Sequence, residues 1–490
     1  MAKITLVNPN LVQIPAVAPV ALDVLNTALK KQGHSVELLD LTPVADKFEE
    51  AIREHFENNS PDYVGITFRN AWDMVFPSLG AVPDDGSFVP SHVKVTKKIL
   101  EYIPRDRIIA GGVGFSSIPQ YMLDQTGLKY GVIGAGDKTL NRIIQSLESG
   151  KIPNGLPGFI ESRKPFTKPG KEITIDSIID RINFVDNKWY YNMGGLAGLR
   201  TSNGCKCNCS YCMEPVVKGG TFLRNPKQVV AELDQLVNQE IMDVHIIDSE
   251  ANIPLTHSKN IKKAIIKQGY QKNLRIWEYA QIMPFDEEYA RLAVRSGVNG
   301  ILFSADHINP RILKEFNKTW YNKNDIINVT RICNEYGIKV FHEVLFGMPG
   351  ETEDTIRETI DFFRELNPYL TGITLGIGIT PNCPMSKSNF IQNIIQSKRS
   401  TWKNKGLYCN GEPFVTPTYF VSPELKVPRI YDVISEYVGE DKFKFMVPTQ
   451  NSIDMTDDQL INSNRIKELQ NRGIKGAYWA VYREQMLNKL

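Results

Sequence analysis

Cys205-Lys-Cys-Asn-Cys209-Ser-Tyr-Cys212 is the stretch whose reading decides the rest of this chain. It gathers four of the seven cysteines into one short segment. Read as C-x3-C-x2-C, it supplies three thiolates from a single loop, Cys205, Cys209 and Cys212. Thiolates suit zinc or iron–sulfur clusters. A structural zinc site draws on four closed ligands, usually two pairs separated by a longer spacer. Three close thiolates fit a 4Fe–4S cluster better, because each holds one iron and the fourth iron stays open. Cys207 sits one residue from both neighbours, which makes it an awkward ligand of the same cubane. It is expected to be a bystander, with a closed cluster or zinc site as the alternative.

The bulk properties exclude several function classes. A chain of 490 residues has room for two or three domains. With 42% hydrophobic and 23% charged residues, its composition is that of a globular protein. The net charge of +2 comes without a Lys/Arg run, so nucleic acid has no electrostatic support. No signal peptide and no membrane-crossing apolar run is evident. An odd cysteine count with one tight cluster is expected of a reducing cytoplasm.

Upstream of the cysteines, strand-like runs alternate with helical spacing. Strands are expected at 4–8, 35–41, 63–68, 107–112 and 130–133, with helices at 20–31, 46–58, 94–102, 119–126 and 138–149. This alternation predicts a Rossmann-like open parallel sheet over 1–150. Ligands of such sheets bind beyond the strand carboxyl ends, here 8–10, 68–73, 111–117 and 134–137. Gly112, Gly114, Gly134 and Gly136 at those ends would let backbone approach a large ligand. They fit simple turns equally well, and no G-x-G-x-x-G fingerprint is present.

Residues 151–195 are rich in Pro, Lys and Gly and read as a linker. A second alternating series follows over 196–394. Its strands are expected at 199–202, 243–247, 274–280, 300–304, 339–346 and 371–380, with helices between. Six such units predict a partial (β/α)6 barrel with its chemistry at the strand carboxyl ends. That rule places the cysteine loop after the first strand and Asp248, Glu250 and Asn252 after the second. Glu278 and Tyr279 follow the third, Ser304 and Asp306 the fourth, and Gly347 the fifth. Asp248 and Glu250 also fit as solvated strand-end acids. Gly347-Met-Pro-Gly-Glu-Thr352 also fits a plain turn with a helix cap. Residues 395–490 break the repeat and are expected to form an α/β cap over the barrel mouth.

The C-x3-C-x2-C spacing is the signature of radical S-adenosylmethionine (SAM) enzymes, which this chain resembles. In that family the open iron chelates the amino and carboxylate groups of SAM. The segment Ile247–Pro254, with Asp248, Glu250 and Asn252, resembles the D-S-E-F-N-x-P segment of cobalamin-type members, set against the SAM amino group. The resemblance implies that Tyr211, Glu278, Ser304 and Gly347 line the same mouth. Residues 1–150 resemble the cobalamin-binding domain that precedes many such barrels, although the D-x-H-x-x-G motif is absent. The segment from Gly65 to Asp73 resembles that of the tryptophan 2-C-methyltransferase type, in which an arginine lies under the cobalt without ligating it. This implies that role for Arg69, with Asn10, Asn70, Gly112, Gly114, Gly134 and Gly136 around the cobalamin. A pairing of Arg69 with Asp73 is the plainer alternative. The segment 372–381 lacks the R-I-Y-P-G-T pattern common in relatives, whereas Gly476-Ala-Tyr-Trp479 matches their C-terminal G-A-Y-W.

Taken together, the resemblance implies a C-methyltransferase using SAM, a 4Fe–4S cluster and cobalamin on a small molecule, such as an indole, or on a peptide. An electron donor such as flavodoxin or ferredoxin would serve it. A non-methylating rearrangement or cyclisation, or an N-terminal domain that is an interaction module without cobalamin, are the other readings.

Overall fold

The computed structural model describes residues 1–13, 16–69, 91–164, 168, 177–218, 220–269, 273–381, 383–389, 391–393, 418–422, 424–426, 429–447 and 475–487. Two parallel sheets organise it. The first contains β1 (Lys3–Asn8), β2 (Ser35–Asp40), β3 (Tyr63–Thr67), β4 (Ile108–Gly111), β5 (Tyr130–Val132) and β6 (Phe159–Glu161). Their order is β2-β1-β3-β4-β5-β6. The first five strands run parallel, as expected of apolar strands covered by helices on both faces. The sixth corrects the reading of 151–195 as linker, because β6 pairs antiparallel with β5. Three residues are too short to carry a periodic signal.

The barrel region adds β7 (Ala197–Leu199), β8 (Ser202–Asn203), β9 (Phe222–Leu223), β10 (Asp243–Ile246), β11 (Arg275–Ala280), β12 (Val298–Asp306), β13 (Lys339–Phe346), β14 (Leu370–Leu375), β15 (Ile377–Ile379), β16 (Thr418–Phe420) and β17 (Phe445–Met446). Its main sheet has seven strands in the order β17-β14-β13-β12-β11-β10-β7. The seventh, β17, comes from the tail and pairs parallel with β14. The single strand expected over 371–380 is two, broken at Gly376, whose φ is +99°. Beyond that break β15 turns away to pair with β16.

The helices between these strands carry the signals that start and stop them. Asp286 and Thr352 cap Glu287–Ser296 and Glu353–Leu366 with their side chains, and Gly297 ends the former in a left-handed conformation. Side chains then sort by strand parity. Ile276 and Ala280 of β11 join the helix-facing core, whereas Trp277 joins an inner cluster with Leu302, Phe341 and Trp479.

That inner cluster corrects the cap expectation. The helix Tyr478–Leu487 inserts Trp479 against Trp277 and Phe341, with ring centroids 5.3 and 5.4 Å away. Its far end meets the amino ends of the strands, where Tyr369 Oη donates to Glu484 at 3.1 Å. This helix therefore fills the inside of the barrel, while Arg429–Val438 packs in the outer helical layer and Thr418–Phe420 pairs with β15. Residues 394–417 and 448–474 lie outside the described residues.

Candidate functional site

The cysteine loop leaves β8 and returns through β9, and both arms are held from outside. Buried Asp248 accepts from the Thr201 and Ser202 backbone N–H groups at 2.7 and 2.9 Å, and from both their hydroxyls. These four donors occupy both its oxygens, so Asp248 acts as the anchor of the loop's entry. At the far side Ser210 N–H donates to Phe316 O at 3.0 Å, and Asn317 Nδ2 donates to Asn208 O at 2.7 Å. Tyr211 Oη donates to Asp306 at 3.0 Å. Within the loop, Cys207 donates its backbone N–H to Cys205 Sγ at 3.3 Å. Hydrogen bonding from Cys207 brings the Cys205 thiol down to about 7, while burial pushes Cys209 and Cys212 up to about 12.

Glu250 is the carboxylate left with capacity. One oxygen accepts from Gln281 Nε2 at 2.5 Å, and the other has no partner among the described residues. Burial raises its pKa to about 8, partly opposed by the charge of Lys318. Asn252 serves it indirectly: its amide donates to Gln281 O and Pro284 O at 2.8 and 2.7 Å and accepts from Gln281 N–H at 3.0 Å. Gln281, which sequence reasoning missed, is thereby locked beside Glu250. Its signal was position alone, one residue past β11.

Glu278 requires correction. Its oxygens take Lys262 Nζ at 2.7 Å and Tyr289 Oη at 2.6 Å, both in the helical layer. Adjacent strand residues point to opposite faces, so Glu278 and Tyr279 cannot share one mouth, and Tyr279 is the one that faces inward. Ser304 shares the inner parity of Gly300 and Leu302, and its carbonyl accepts from Lys318 at 3.0 Å. Gly347 ends β13 with φ +115°, its N–H donating to buried Glu351 and its carbonyl accepting from Ser422 at 2.7 Å. It shapes the strand end.

The N-terminal sheet meets the barrel across a cavity of about 600 Å³. From the first sheet its wall takes Asn10, Arg69, Gly112, Gly134 and Gly136, and from the barrel Arg200, Asn203, His245 and Tyr279, with Tyr478 from the tail. Gly112 has φ +97°, and a Cβ there would lie 2.5 Å from Phe68 O, so glycine is required by the neighbouring strand end. Gly114 N–H donates to Phe68 O at 2.9 Å, and Gly134 N–H to Ser116 Oγ at 2.9 Å. Asn10 closes a turn on Val12. Arg69 is exposed on the cavity wall. Asn70 and Asp73 lie outside the described residues.

The donor set fits an iron–sulfur cluster. Among the described residues no three His, Cys, Asp or Glu side chains form a group able to hold a single metal ion. A cluster does not require that convergence, since each iron takes its own thiolate. The free Glu250 oxygen adds an acceptor for a cation or a hard ligand for a metal. The glycine-edged, largely apolar cavity suits a large planar group.

A family model described as the radical SAM superfamily matches residues 199–363. The curated tryptophan 2-C-methyltransferase of Streptomyces laurentii is 28% identical, over 98% of this chain and 96% of its own length. The structure of the radical SAM methyltransferase TsrM from Kitasatospora setae, with cobalamin and a 4Fe-4S cluster bound, aligns with TM-score 0.86 at 30% identity. That alignment covers 99% of this chain and 97% of that one. A second TsrM structure, holding tryptophan and a SAM analogue, aligns with TM-score 0.87. OxsB, a cobalamin-dependent SAM radical enzyme, shares the fold at TM-score 0.68 and 15% identity, over 86% of this chain and 64% of that one.

Proposed function

This chain belongs to the radical S-adenosylmethionine methyltransferase family, and we propose that it is a cobalamin-dependent C-methyltransferase acting on tryptophan or a related indole. The observation that carries this reading is a cavity lined by the carboxyl ends of both sheets and reaching Asn203 at the base of the cysteine loop. When bound, the cofactors supply SAM binding at the open iron and a methyl carrier at cobalt.

The chain's own residues position these groups. Cys205, Cys209 and Cys212 would hold the cluster. Glu250, with an oxygen to spare, would accept the SAM ammonium, while Asp248 and Asn252 hold the loop and Gln281 in place. Residues 1–161 would hold the cobalamin, with Gly112, Gly134 and Gly136 exposing backbone to it and Arg69 on the same wall, while Gly114 is buried behind them. The Arg69 guanidinium would place a fixed positive charge beside the cofactor and disfavour the cofactor's more oxidised state. His245 and Tyr279, edge to face at 4.6 Å, give an aromatic ring a wall to pack on and exclude water. A reducing partner such as flavodoxin or ferredoxin fits these cofactors. The six described cysteines are all free, in keeping with a cytoplasmic setting. No described helix is long and apolar enough to cross a membrane.

The test is mass spectrometry of products from reconstituted protein given methyl-deuterated SAM and tryptophan. Labelled methyl on an indole carbon is expected. A labelled product from another indole or a peptide but not from tryptophan would reassign the substrate. A substrate-derived product carrying no label would replace methylation with rearrangement. Absence of corrin absorption after reconstitution would remove cobalamin.

A further inference from the structure

Beneath the cysteine loop lies a lysine whose side chain has no solvent exposure, Lys318. The helix Pro310–Glu315 runs out there, Asn317 adopts φ +56°, and Lys318 N–H turns back to Leu313 O at 2.8 Å. The same turn carries the loop: Glu315 O and Phe316 O accept from Ser210, while Asn317 donates to Asn208 O. The Lys318 ammonium stands 2.8 Å from Asp306, donates to Ser304 O at 3.0 Å and lies 6.0 Å from the centre of the Tyr211 ring. Tyr211 in turn donates to the same Asp306 oxygen. A lysine stem is long enough to carry its head to water in most settings, and burying the charge is costly. Here the fold keeps it inside, next to the turn that carries the loop of four thiols. Of its three donors, one has no protein acceptor among the described residues.

We propose that Lys318 sets the charge environment of the cluster, its ammonium stabilising the added electron and so raising the cluster's reduction potential. This rests on the reading of Cys205, Cys209 and Cys212 as cluster ligands. A 4Fe–4S core with three thiolates is anionic before reduction and gains a further negative charge in the one-electron couple. A fixed cation in a buried, weakly screening site favours that step, and hydrogen bonds to cluster sulfurs act the same way.

The experiment is an anaerobic redox titration of the full-length reconstituted protein, followed by electron paramagnetic resonance, with iron and sulfide measured for each variant. Lys318→Met should make the potential more negative, Asp306→Asn should make it less negative, and Lys318→Arg should stay near the parent. A purely structural pair would not produce opposite signs. An intact cluster with unchanged potential in Lys318→Met, or shifts of the same sign in the two charge-removing variants, overturns the proposal. If Lys318→Met fails to hold a cluster, Asp306→Asn decides: an upward shift supports the role and none overturns it. Failure of the parent protein itself to take up iron and sulfide would overturn the functional reading as well, and is read from the metal analysis alone.

Discussion

The carboxyl ends of the two parallel sheets face one cavity, yet they are finished in opposite ways. At the barrel end the polar side chains are buried and mostly committed within the fold: Asp248 to Thr201 and Ser202, Asn252 to Gln281, Asp306 to Tyr211 and Lys318. One oxygen of Glu250 is left over. At the N-terminal end, by contrast, the edge is largely glycines and apolar side chains, with Arg69 after β3 and Asp137 after β5 as ionisable groups on the cavity wall. A small, charged ligand at a metal needs aimed groups that do not move. A large, flat ligand needs room and exposed backbone.

The comparison can be broken from either side. The largest effect is expected from Cys209→Ala, which should abolish cluster uptake and all SAM chemistry; iron content and visible absorption check this, and parent-level iron would refute it. Next comes the joint between the two walls. Arg181, fully buried, donates to Asp23 on the N-terminal side at 2.9 Å and to Glu232 and Gly198 O on the barrel side at 2.8 and 2.7 Å. Arg181→Met should cost about 3–5 kcal/mol, as removal of one partner strands buried charge, and chemical denaturation measures it.

At the glycine edge, Gly112→Val should lose about 1–3 kcal/mol from backbone conformation alone, seen as a lower melting temperature together with weaker corrin uptake. Arg69→Lys, which keeps the charge but not the planar guanidinium, is expected to leave cobalamin bound while slowing methyl transfer; unchanged turnover in a corrin-loaded variant counts against the role. The smallest effect should be that of Cys207→Ala, which ought to keep parent levels of iron and turnover.

Much of this was legible before any coordinates, because chemistry tied to chain-local spacing survives without a fold. The three thiols, the two alternating series and the glycines at strand ends are all short-range patterns. Strands of two or three residues, such as β6 and β17, carry no periodicity and appear only as pairings with distant segments. The same holds for Lys318 and Gln281, whose sequence context is that of an ordinary lysine after a helix and an ordinary glutamine after a strand. What the sequence alone determined is the spacing of the thiols and the order of βα units, since these depend on neighbours along the chain. Only the tertiary structure decided which acids are spent on the fold and which oxygen of Glu250 remains free. It alone sent Glu278 to the helices and Tyr279 to the cavity. It also placed the helix Tyr478–Leu487 inside the barrel. The reason is physical: hydrogen-bond capacity and strand facing are settled by partners brought together across tens or hundreds of residues, and no local pattern records them.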